Sequence, residues 1–211
     1  MLTTVTPSSG KPFTTLERLK LELQIADTDE TEDLYLEELL AEVSAAIEDH
    51  CGQTFGRRTV RETMRTTQTH TLVVEVTPVV SVASVKYRGE LVPQTDYYLA
   101  DSACGFIYAP NGWHDTGRYT HGLSGAPVAQ AYDYEIEYTA GYILPGDTGT
   151  TLPRSIQSAC LLWAKARFFA RGRDPGIVSE KVLDILSNTY SSDDVPPEVR
   201  KLLEPYVRTG I

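Results

Sequence analysis

Gly122-Leu123-Ser124-Gly125-Ala126 sets a serine between glycines, with His114, Asp115 and His121 earlier in the same stretch. Serine, histidine and an acid are the parts of an activated nucleophile. The pattern G-x-S-x-G, on a sharp turn between strand and helix, lifts the hydroxyl clear of the backbone. Here Ala126 replaces the closing glycine, Pro127 follows, and no helical periodicity comes after. A Gly-rich loop is therefore expected over 109–130, with a Ser124 hydrolase as the alternative. The same His114, Asp115 and His121 are metal-ligand types. Their spacing matches no ligand pattern, and a Gly-rich loop lacks the second shell that orients ligands. No metal or cofactor is expected.

Two further motifs fail on chemistry. Ser8-Ser9-Gly10-Lys11 suggests a phosphate-cradling loop, but Pro12 stands where Ser or Thr would bind the cation, and no strand precedes it. The acidic run from Asp27 to Asp33 alternates carboxylates like a calcium loop, yet lacks the central glycine and runs straight into helix. A solvated helix face is expected there.

The remaining cluster is basic. Arg167, Arg171 and Arg173, with Asp174 and Pro175, close a helix carrying Phe168 and Phe169. Cations are favoured at the carbonyl end of a helix, so dipole compensation accounts for much of this. An Arg and an Asp beyond the helix suit pairing with a neighbouring subunit. Stacking of bases on Phe168 and Phe169 is the nucleic-acid alternative. The net charge of −10 argues against a broad grip on nucleic acid, which needs Lys and Arg to displace counterions. Residues 27–49 carry carboxylates, Glu37 and Glu38 among them, and no Lys or Arg. An acidic helix and a basic helix end can pair within a subunit or between neighbours.

The elements that would hold these residues fall into three blocks. Leu16, Leu19 and Leu23 mark one amphipathic helix; Leu36, Leu40, Val43 and Ile47 mark a second, with Gly52 as its stop. From 57 to 142 the chain is rich in Val, Tyr, Thr and Ile in short punctuated runs, which predicts antiparallel strands with a tight turn at Arg88-Gly89. Pro153 opens a helix whose stripe reads Ala159, Leu162, Trp163, Ala166, Phe169 and Ala170. A short helix over SEKVLDIL and another after Pro196 or Pro197 follow. The fold class is α+β, with N- and C-terminal helices forming a small bundle around an inserted short-stranded antiparallel β-region. In domains, 1–13 is a flexible arm, 14–195 the main domain (helices 14–52, β-region 57–142, helices 153–190), and 196–211 a terminal segment. The cysteines Cys51, Cys104 and Cys160 are widely spaced and odd in number, as expected of reduced thiols. No apolar run approaches the roughly 20 residues of a membrane span, and the N-terminus has no signal-peptide pattern.

Four segments in order resemble the head–tail connector (adaptor) proteins of tailed bacteriophages. They are LERLKLELQIADTDETEDLYLEELLAEVSAAIEDHCGQTF, TPVVSVASVKYRGELVPQTDYYL, YEIEYTAGYILP and LPRSIQSACLLWAKARFFARGRDPGIVSEKV. The resemblance implies a non-enzymatic virion protein at the head–tail interface, assembled in the host cytoplasm. It implies a self-associated ring, usually twelve-fold, beneath a portal protein. Such a ring extends the DNA channel without specific DNA binding and offers a platform to a tail or stopper protein. The acidic and basic helix faces make Arg171, Arg173, Asp174, Glu37 and Glu38 the expected subunit-interface residues, and by the family analogy Leu202, Tyr206 and Arg208 would dock on the portal.

Overall fold

The computed structural model describes residues 1–65, 70–113, 133–171, 179–182, 186–189 and 195–208. The chain divides into a β unit, Met1–Gly10 with Gly56–Tyr142, and a helical unit, Lys11–Phe55 with Ile143–Ile211.

The β unit is organised around Tyr134–Ala140, whose residues alternate buried and half-buried along its length. That period of two is what a strand with one face in a core requires. In chain order the strands are β1 (Leu2–Thr6), β2 (Arg58–Met64), β3 (Thr71–Val73), β4 (Val79–Tyr87), β5 (Glu90–Leu91), β6 (Tyr98–Asp101), β7 (Phe106–Tyr108) and β8 (Tyr134–Ala140). They form a five-stranded sheet, β1-β2-β8-β4-β5, and a three-stranded sheet, β3-β7-β6. Their inner residues, including Val60, Val85, Ile136 and Tyr138 from one sheet and Leu72 and Ile107 from the other, share one core with Trp113. The turn between β4 and β5 falls at Arg88-Gly89, both with positive φ, as a two-residue hairpin demands. Arg88 holds this conformation with its N–H on the Asp133 carbonyl (2.8 Å) and its Nε on the Asp133 carboxylate (3.0 Å).

Residues 2–6, expected within a free arm, are instead the edge strand β1, antiparallel to β2. Thr and Val are strong strand residues, and the uncharged LTTVT has nothing to keep it off a sheet edge.

In the helical unit α1 is Leu16–Leu23, α2 is Asp33–Cys51, α3 is Arg154–Ala170 and α4 is Pro197–Leu203. The expected Gly52 stop is present: Gly52 takes φ 63° and its N–H returns to the Asp49 carbonyl at 3.3 Å. Leu36, Leu40, Val43 and Ile47 are buried as expected, with Ile156, Ala159, Cys160, Trp163 and Ala164 of α3. The face of α3 differs from the expected stripe. Ala166 is exposed and Phe169 is 61% exposed, because the 3.6-residue turn carries the seam through 156, 159, 160, 163 and 164 and leaves Phe169 behind. Where SEKVLDIL is expected to be helical, the described residues are strand: β9 (Ser179–Val182) pairs antiparallel with β10 (Leu186–Thr189). The run is too short to sustain a helix alone.

Candidate assembly surfaces

The basic end of α3 is built against the acidic start of α2. Arg171 donates from Nη2 to Glu32 Oε1 at 2.6 Å, and its guanidinium lies 4.3 Å from the Phe168 ring centre and 5.3 Å from that of Tyr35. The Glu32 bond holds the Arg171 guanidinium even more firmly protonated than usual. One turn back, Arg167 covers the Trp163 ring at 5.1 Å and approaches Glu42 at 3.9 Å. Lys165 donates to Glu22 of α1 at 2.7 Å. The base–acid pairing between the two helices is therefore made inside the subunit. Arg173 and Asp174 lie outside the described residues, as do His114, Asp115, His121 and Ser124.

Glu37 and Glu38 stand exposed on α2, and neither has a bonding partner among the described residues. Sequence reasoning missed the nearby polar anchor of this corner. Lys20 of α1 is only 3% exposed, and its ammonium bonds Asp33 at the start of α2 and the Asp27 carbonyl at 3.4 Å. The Asp33 bond raises the Lys20 pKa. Its position directly after Leu19, on a helix whose apolar face is narrow, was the available signal.

Leu202, Tyr206 and Arg208 are half-buried at the close of α4 and after it. The Tyr206 hydroxyl is 2.9 Å from Ser155 Oγ, its carbonyl accepts from Gln53 Nε2 at 2.6 Å, and its ring meets Phe55 edge-on at 6.0 Å. Arg208 donates its backbone N–H to the Cys51 carbonyl at 3.0 Å. With Val199 and Leu203 buried, the segment is fastened to its own helices through its backbone, and part of each side chain stays outside.

The buried thiols of these helices are quiet. Burial pushes Cys51 and Cys160 up to about 11. The Cys160 sulfur sits 3.6 Å from Ser44 Oγ, which donates to the Leu40 carbonyl at 2.7 Å and accepts from the Phe13 N–H at 3.0 Å. Among the described residues no group of three or more His, Cys, Asp or Glu is placed to hold a metal, and no helix is long and apolar enough to cross a membrane.

A model of the head completion protein family matches residues 12–209. Among solved structures the fold is similar to a chain in the neck of a native gene transfer agent particle computed with C12 symmetry. That match has 18% identity and a TM-score of 0.59, covering 100% of this chain and 97% of that one. A chain in the virion of the native gene transfer agent particle matches with the same identity and coverage at a TM-score of 0.57. Among curated proteins none matches the sequence.

Proposed function

The chain belongs to the head completion protein family, and from that membership we propose that it is a structural connector at the head–tail interface of a phage-like particle. The carrying observation is the family match over residues 12–209, which takes in both units. Copies form a ring beneath the portal, extend the DNA channel and present a platform to a tail or stopper protein. The fold's likeness to a neck chain resolved with twelve-fold symmetry supports a ring. A net charge of −10 suits a channel that lets DNA slide rather than hold it. The role asks for binding surfaces, not catalysis. Arg171, partnered by Glu32, lies at the α2–α3 corner of one such surface. Leu202, Tyr206 and Arg208 offer their outer sides to the portal on a backbone already held in place.

The test is co-sedimentation with the portal ring of the same particle, followed by negative-stain imaging. An added ring on the portal's narrow end is expected. Failure of two folded partners to bind would sink the reading.

A further inference from the structure

Lys165, Arg167 and Arg171 are committed to Glu22, Glu42 and Glu32 of their own unit. Arg154 is different. It is exposed in the first turn of α3 and has no carboxylate partner among the described residues. A cation there faces the positive end of the helix, which is unfavourable unless an anion is supplied. Arg18 of α1 is also exposed, and among the described residues its one bond is to the neutral Gln157 Oε1 at 3.2 Å.

These two arginines line one cleft of about 450 Å³ with Thr150, Thr151, Leu152 and Gln157. The other polar groups of the cleft are occupied. Thr150 donates to the Ile143 carbonyl, Thr151 accepts from the Ile143 N–H, and the Gln157 amide donates to the Leu152 carbonyl. The charged donors left in the cleft are guanidinium N–H groups, whose fork matches carboxylate and phosphate oxygens.

Glu37 and Glu38 of the same unit cannot reach it. Glu32 meets Arg171 while Ser44 meets Cys160, so α2 and α3 run antiparallel. Glu37 and Glu38 therefore stand beside the last turns of α3, about 20 Å along the axis from Arg154 at 1.5 Å per residue. Complementary patches at opposite ends of one helical unit meet only between copies. Such a contact is heterologous, and it closes into a ring when the rotation permits.

We propose that Glu37 and Glu38 of one copy enter the Arg18–Arg154 cleft of the next copy, making the charged contact between neighbours. The proposal rests on the connector reading and names the surface that the ring would use.

The test is self-association of the full chain, followed by sedimentation up to millimolar concentration at low and high salt. Glu37→Arg with Glu38→Arg, and separately Arg18→Glu with Arg154→Glu, should each weaken it at least about tenfold. The chain carrying all four changes should recover to within about threefold. All sites are exposed, and circular dichroism checks that each variant folds. Retained association in either parent, or no recovery in the four-fold variant, overturns the contact. So does the absence of any association at millimolar concentration. Duplex DNA is run alongside: if Arg18→Glu with Arg154→Glu loses DNA binding but keeps self-association, the cleft reads phosphate and the proposal fails. Association that survives every reversal removes this contact while leaving the connector reading to its own portal-binding test.

Discussion

Arg171 of α3 and Glu32, the residue before α2, are joined by a 2.6 Å charge-assisted hydrogen bond within one subunit. The most conspicuous basic residue of the sequence is thereby used to close the helical unit upon itself. Its partner is partly exposed and its own side chain is 44% exposed, so solvent screens the pair and its worth is small. Arg171→Ala should leave the melting temperature within about 2 °C of the original. A loss of several degrees by calorimetry would mean that the corner depends on the pair far more than its exposure allows.

A buried polar node in the β unit should behave differently. Tyr138 donates to Glu62 Oε2 at 2.7 Å and accepts from the Val76 N–H at 3.1 Å, while the Glu75 N–H bonds the same Glu62 oxygen at 3.0 Å. Tyr138→Phe removes a partner from two buried groups and should cost about 1–3 kcal/mol in denaturant unfolding. Burial, with Glu62 beside it, holds the Tyr138 hydroxyl far above its usual range. The unfolded chain then loses this proton first as pH rises. Stability tied to Tyr138 is complete below about pH 10 and declines above it. The variant should lose part of that alkaline slope, and an unchanged slope would refute the assignment.

The node also shows what the sequence could and could not tell. The alternation in YEIEYTA put Tyr134, Ile136 and Tyr138 on one face, and the apolar spacing of α2 was readable because 19 residues average out local noise. Glu62 was not readable as a buried residue. Its partner lies 76 positions away, and a lone carboxylate in RTVRETM carries no mark of that distance. The same holds for the candidate surface. Charge blocks located Glu37, Glu38 and Arg171, but which cations stay free depends on ion pairs such as Lys165–Glu22, 143 residues apart. The paired strands β9 and β10 were misjudged as helix because the eight residues SEKVLDIL satisfy a helical and an extended pattern almost equally.

Gly105 tests the packing between β6 and β7. Its φ is +70°, and a Cβ would lie 2.9 Å from both Val74 Cγ2 and the Val74 carbonyl. That carbonyl is backbone and cannot yield, and the strained φ adds its own cost. Gly105→Ala should destabilise the protein by about 1–3 kcal/mol or more, read from urea unfolding. A neutral result would show that the turn relaxes at no cost.

The three cysteines should separate cleanly by reactivity. Cys104 is exposed, whereas Cys51 and Cys160 are buried with thiols pushed up to about 11. Only the thiolate attacks a disulfide reagent. At pH 8 the folded protein should therefore release colour from Cys104 alone, and from all three cysteines once unfolded. Asp101, which raises the Cys104 pKa mainly by a hydrogen bond, should slow even that reaction, and Asp101→Asn should quicken it. The buried pair has a second consequence with a definite sign. Their folded values lie above the ordinary value of 9.0, so the unfolded chain ionises first. The stability they carry is whole below about pH 9 and falls as pH climbs toward 11. Replacing both by Ala should flatten this part of the pH–stability curve, although the lost sulfur contacts lower the whole curve. Native-state reaction of Cys160 at pH 8, or an unchanged alkaline slope in the double variant, would contradict the burial that the helical core assigns to it.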